Sequence, residues 1–188
     1  MNKRILSALI AAAAFFLSPA QAAITVLGSG PAQLCYQAAD QGLSPLDYIA
    51  YCDQALVGGG LSPADRAATY INRGVLKLAM NSLDGATADF NAGLAIDDRL
   101  GEAYVNRGAT LIAKRRYAEA LADLNRGLAL GIKQTHLAYF DRAMAFEALG
   151  NLQGAYDDYR KALALRPDFQ LASDELKRFR VVEKPSGT

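Results

Sequence analysis

Tyr70-Ile71-Asn72-Arg73-Gly74 returns 34 residues on as Tyr104-Val105-Asn106-Arg107-Gly108, and 35 residues further as Tyr139-Phe140-Asp141-Arg142-Ala143. A second signature follows each copy. Ala86-x-x-Asp89-Phe90 matches Ala120-x-x-Asp123-Leu124 and Ala155-x-x-Asp158-Tyr159; Gly93-Leu94-Ala95-Ile96 then matches Gly127-Leu128-Ala129-Leu130 and Ala162-Leu163-Ala164-Leu165, and Pro167 closes the third unit. Self-similarity at a period of this size marks an array of small supersecondary units. Within one unit, Tyr117, Ala120, Leu121, Leu124 and Leu128 are spaced 3, 1, 3 and 4, the pattern of an amphipathic helix. Two helices per unit make a hairpin that cannot bury both of its faces alone, so neighbouring hairpins must stack.

These residues resemble the tetratricopeptide repeat: an aromatic and then a small residue in the first helix, with alanine, an aromatic, another small residue and a proline in and after the second. The resemblance covers residues 67–169 as three units, 67–100, 101–135 and 136–169. Leu124 departs from the aromatic position, two units lack the proline, and the turn Gly131–Thr135 carries one extra residue. The resemblance implies an all-α, right-handed solenoid of helical hairpins whose first helices line a concave surface.

Ahead of the repeats, Ser44-Pro45-Leu46-Asp47 and Ser62-Pro63-Ala64-Asp65 are two helix starts, with serine to cap, proline at the first helical position and aspartate to meet the dipole. Residues 23–66 therefore read as a flexible N-terminus followed by a degenerate hairpin, with Cys52-Asp53-Gln54-Ala55-Leu56 echoing Phe90-Asn91-Ala92-Gly93-Leu94. Cys35 and Cys52 are the only cysteines. A disulfide between them would staple this hairpin, and two free thiols are the alternative. Residues 170–181, with Phe179 on the apolar face and Lys177, Arg178 and Arg180 near the end, read as a capping helix, and 182–188 as a tail.

Lys3 and Arg4, the apolar run Ile5–Leu17 broken only by Ser7, and Ala20-Gln21-Ala22 have the form of a secretory signal peptide over residues 1–22, with cleavage expected after Ala22. Thirteen residues are short for a membrane span, which needs about 20. A periplasmic or secreted location follows as the expectation, and it suits the disulfide. The mature chain would carry 18 basic and 19 acidic residues, a balance with no electrostatic pull toward nucleic acid. No membrane span is expected in it. The stretch Val26-Leu27-Gly28-Ser29-Gly30 imitates a dinucleotide-binding turn, but Gln33 stands where the third glycine belongs and no βαβ pattern follows. No cofactor and no metal are expected.

Three roles are expected inside the repeated pentapeptide. Gly74, Gly108 and Ala143 are contacts where the two helices approach, with Ala86, Ala120 and Ala155 as partners. Arg73, Arg107 and Arg142 each stand sixteen residues before Asp89, Asp123 and Asp158, which suggests three equivalent ion pairs. Asn72, Asn106 and Asp141 occupy equivalent positions on three first helices, and the resemblance implies that they face the groove. An amide side chain supplies donors and an acceptor that match an extended peptide backbone. Ile71, Val75, Val105, Ala109, Phe140, Met144 and Glu102 are expected around them. No groove lysine or arginine is placed to clamp a terminal carboxylate. The third NRG, Asn125-Arg126-Gly127, lies in another register, and only its glycine has counterparts. His136 has no nucleophile or metal partner placed by sequence, and Lys114-Arg115-Arg116 reads as a solvated turn. The expected function is a non-enzymatic protein- or peptide-binding scaffold, with self-association into a homo-oligomer as the alternative.

Overall fold

The computed structural model describes residues 3–8, 22–26 and 30–183, with 3–8 and 180–183 described by backbone alone. Helices α1 (Pro31–Gln41) and α2 (Pro45–Val57) form the first hairpin; α3 (Pro63–Ala79) and α4 (Leu83–Ile96), α5 (Gly101–Ala113) and α6 (Tyr117–Leu130), and α7 (Thr135–Ala148) and α8 (Leu152–Leu165) form three more. A short helix, α9 (Gln170–Leu176), packs on α8. Each second helix also packs on the first helix of the next hairpin, so the chain is an α-solenoid. Strand β1 (Lys3–Ala8) pairs antiparallel with β2 (Phe179–Glu183), from Lys3 opposite Glu183 to Ala8 opposite Phe179. Among the described residues this ribbon is the only sheet.

Local chemistry explains the boundaries. Ser62 caps α3, its Oγ accepting from the Asp65 amide at 3.1 Å and donating to Asp65 Oδ2 at 2.7 Å, with Pro63 in the first turn. Ser44 differs from its expected role: its side chain makes no cap bond to α2. Inside three hairpins the turn uses a left-handed residue at the same place, Asn81 (φ 57°), Arg115 (φ 58°) and Gly150 (φ 78°).

The second-helix aromatic or leucine is the wedge of each hairpin. A Cβ on Gly74 would lie 2.5 Å from the buried Phe90 ring, and one on Gly108 would lie 2.8 Å from Leu124 Cγ. The larger side chains thus lie nearest the glycines, and at Gly108 the backbone carbonyl of the expected partner Ala120 is also close, 3.5 Å from such a Cβ. The second small position works in reverse: a Cβ on Gly93 would strike Ile71 at 2.5 Å, and one on Gly127 would meet Val105 at 2.6 Å and the Gly101 carbonyl at 2.9 Å. Residues 58–62 connect α2 to α3, and Cys35 is bonded to Cys52 across α1 and α2.

Two expectations change at the chain ends. The capping helix stops at Leu176 instead of continuing to 181, because Phe179 turns inward against the Tyr156 and Tyr159 rings, at 5.7 and 5.9 Å. The chain then continues as β2, rich in the β-branched residues that favour strands. Residues 23–26, expected to be flexible, are instead tied to the repeats: Val26 is buried against Ala32, Ala55 and Ala68. Within the expected signal peptide, residues 1–2 and 9–21 lie outside the described residues, as does the end of the tail, 184–188.

Candidate functional site

Ala22–Val26 runs without regular secondary structure over α3 and α5, and the amides of the repeated pentapeptide hold it. Ile24 donates its backbone N–H to Asn72 Oδ1 at 2.8 Å and accepts from Asn72 Nδ2 at 2.8 Å. Ala22 does the same with Asn106, donating at 3.3 Å and accepting at 3.0 Å. One side chain therefore satisfies both polar groups of one backbone residue, which is the full use of an amide's donor and acceptor. Alternate residues are held by successive repeats, and both asparagines are fully buried.

Asp141 is the third member of the row. It is 2% exposed, and its Oδ2 has no hydrogen-bond partner. Burial pushes its carboxyl well above the usual carboxylate range, because no partner offsets the loss of water around the charged form.

Around this row the helical turn decides who faces what. Ile71, Val105 and Phe140 precede the polar residue by one position, about 100° around the helix. That rotation turns them toward the second helix: Ile71 onto Gly93, Val105 onto Gly127, and Phe140 onto the Tyr159 and Phe169 rings at 5.3 and 5.2 Å. Ile71 and Phe140 are thus hairpin packing, a correction to their expected place in the groove. Val105 does both, since it also lines a small crevice with Ala22, Glu102, Ile132, Gln134 and Leu137. Glu102 accordingly lies beside the strand. Val75, Ala109 and Met144, one turn beyond the row, are buried in the core.

The arginines form a second row. Arg73 Nε and Nη2 donate to Asp89 at 2.8 and 2.6 Å, Arg107 to Asp123 at 2.7 and 2.7 Å, and Arg142 to Asp158 at 2.6 and 2.9 Å. These are bidentate forks with fixed geometry. The remaining nitrogen, Nη1, reaches back to the preceding hairpin: Arg73 to Asp53 at 2.7 Å, Arg107 to Asn91 at 2.8 Å and Arg142 to Asn125 at 2.7 Å. Each guanidinium also lies over the tyrosine three residues earlier, at 5.2 to 5.5 Å from the ring centre. Sequence reasoning missed the role of Asn125. The signal was present, because Asp53, Asn91 and Asn125 each follow Cys52, Phe90 and Leu124 directly.

The other candidates stay apart from the groove row. His136 Nε2 lies 3.2 Å from Arg166 Nη1 and its ring meets Phe169 edge-on. Lys114 bonds Asp84 and Arg116 bonds Glu119 at the surface. No cluster of metal-ligating side chains and no membrane-crossing helix occurs among the described residues.

Residues 136–169 match the family described as tetratricopeptide repeat. No curated protein matches the chain. Among solved structures, the first TPR of Spaghetti (RPAP3), solved bound to the HSP90 peptide SRMEEVD, is 26% identical with a TM-score of 0.58, over 61% of this chain and 90% of that one. The first TPR domain of human RPAP3 is 27% identical, with a TM-score of 0.57 over 62% and 90% of the two chains. MamA, at 18% identity and a TM-score of 0.62 over 76% and 80%, is alike in fold.

Proposed function

Taking as premise that the chain is a tetratricopeptide-repeat protein, we propose that it is a non-enzymatic scaffold whose concave groove binds an extended peptide through the row Asn72, Asn106 and Asp141. The observation that carries this reading is the paired bonding of Ile24 by Asn72 and of Ala22 by Asn106. Those bonds use backbone groups alone, so the row selects extended shape and direction and leaves side-chain choice to the flanking apolar contacts. A similar solved structure holds an HSP90 peptide. This groove has a different chemistry: its polar row is neutral or acidic, where a carboxylate clamp needs cations.

The test is binding in trans. In the full chain, Ile24→Pro removes the N–H that Asn72 receives and loosens the resident strand. A fluorescent heptapeptide with the sequence of residues 20–26 should then bind, as read by polarisation. The same protein with Asn72→Ala and Asn106→Ala should not. Equal binding by both would rule out the amide row.

A second reading has its own support. A chain that carries both a groove and a strand that fits it can exchange that strand between copies, which gives a dimer. Mass rising with concentration in light scattering, and lost on Asn72→Ala/Asn106→Ala, would establish it. We further place the protein in the periplasm or outside the cell. The signal-like N-terminus and the Cys35–Cys52 bond support this, and sequencing the exported form should return Ala23 first.

A further inference from the structure

We propose that Asp141 receives the free α-ammonium group of the bound peptide, so that the groove reads an N-terminus. This rests on the peptide-groove reading above. The resident strand fixes both step and direction. Ile24 sits on Asn72 and Ala22 on Asn106, so a strand advances two residues per repeat and its N-terminal end heads toward the third repeat. For a bound peptide, the next rung would fall to the residue two positions before the one on Asn106, and the side chain at the equivalent place of the third repeat is Asp141, 35 residues after Asn106.

The change from amide to acid alters what can be held there. An asparagine matches an internal residue because it both donates and accepts. An ionised carboxylate only accepts, so it opposes the carbonyl of an internal residue and favours a group made of donors. A terminal ammonium is such a group, and it also brings the missing charge.

Among the described residues no cation is recorded against Asp141. Asp89, Asp123 and Asp158 each have an arginine, while Asp141 Oδ2 is buried and has no hydrogen-bond partner. Glu147, on the same helix, is committed to Arg178 and Tyr159. A buried acid without a cation is an unfavourable arrangement for stability alone, and its sense lies in a ligand that completes it. The ligand class is therefore an extended peptide with a free N-terminus, its first, third and fifth residues on Asp141, Asn106 and Asn72.

The experiment uses the full chain carrying Ile24→Pro and two forms of the heptapeptide Ala-Gln-Ala-Ala-Ile-Thr-Val, labelled at its C-terminal end. One form has a free amine and the other an acetyl cap. The free form should bind on the order of tenfold more tightly, the scale of a charge-assisted hydrogen bond over a neutral one. Asp141→Asn should remove the preference and leave the capped peptide bound at least as well. Equal binding of the two forms, or tighter binding of the capped one, overturns the proposal and leaves the groove intact, because a protonated Asp141 would then be serving an internal residue. Binding of neither form overturns the groove reading along with it. The two-peptide comparison is made on one protein and does not depend on how the Asp141 variant folds.

Discussion

Asn72→Ala in the full chain should release the strand without unfolding the repeat. The side chain makes two bonds to Ile24, both at 2.8 Å. A net value of about 1 kcal/mol for each makes about 2 kcal/mol for the pair, or roughly 30-fold in the opening equilibrium at 1.36 kcal/mol per decade. Asn106 holds Ala22 at 3.3 and 3.0 Å, closer to the weak end of the range. Asn106→Ala should therefore cost about 1 kcal/mol, roughly fivefold, and chiefly at Ala22. Amide hydrogen exchange followed by NMR reads both sites, with buried Ala86 in α4 as internal reference. The expected result is a loss of protection at Ile24 that is several times larger for Asn72→Ala than for Asn106→Ala, with Ala86 unchanged. Unchanged protection at Ile24 would mean that Ile24 and Val26 hold the strand by packing alone. A loss of the same size at Ala86 would mean that Asn72 is a structural residue of its hairpin. Either result refutes the reasoning.

Asp141→Asn should stabilise the protein at neutral pH, because the amide stays uncharged and avoids the cost of a buried carboxyl with no cation beside it. The pH dependence has a definite sign. The folded-state pKa is raised by burial, so the protonated group contributes fully below the unfolded value, and that contribution is lost as pH rises toward the folded one. The advantage of the variant in denaturant melts should thus be large at pH 7 and vanish near pH 3–4. Arg115→Gly should raise stability by about 1 kcal/mol, since Arg115 is left-handed (φ 58°) where the next repeat has Gly150. Asn125→Ala, which removes a single bond to Arg142 at the surface, should cost about 0.5–1 kcal/mol. Asp123→Ala strands the half-buried Arg107 and should cost about 2–3 kcal/mol, both read as shifts in denaturation midpoint.

The repeats were legible because each position does one job three times over. The spacing of Arg73, Arg107 and Arg142 from their aspartates could be counted without coordinates, since one hairpin fixes both partners. The asparagine row could be named as backbone-directed because an amide has only a few uses on a concave face. Ile71 and Phe140 were misplaced because one residue of helix phase separates the groove from the hairpin interior, and apolar side chains suit either. The inter-repeat reach to Asp53, Asn91 and Asn125 depends on how far one hairpin rotates against the next, which composition does not encode. The seat of Ala22–Val26 was hidden for another reason. Few local signals distinguish a strand that another part of the chain will hold from one left free.

If the chain is exported as proposed, that seat has a consequence for the order of events. The expected cleavage bond, Ala22–Ala23, lies between the two asparagine-held residues. A protease that needs an extended substrate in its own cleft cannot share that backbone with the groove. Cutting would then have to precede closure, and a precursor that folded early would hide its own processing site. Signal peptidase should cut the denatured or Asn72→Ala/Asn106→Ala chain faster than the folded wild type. Once the cut is made, Asn106 loses its resident partner while Asn72 keeps Ile24, so maturation would hand one end of the groove to a visitor and leave the other end filled.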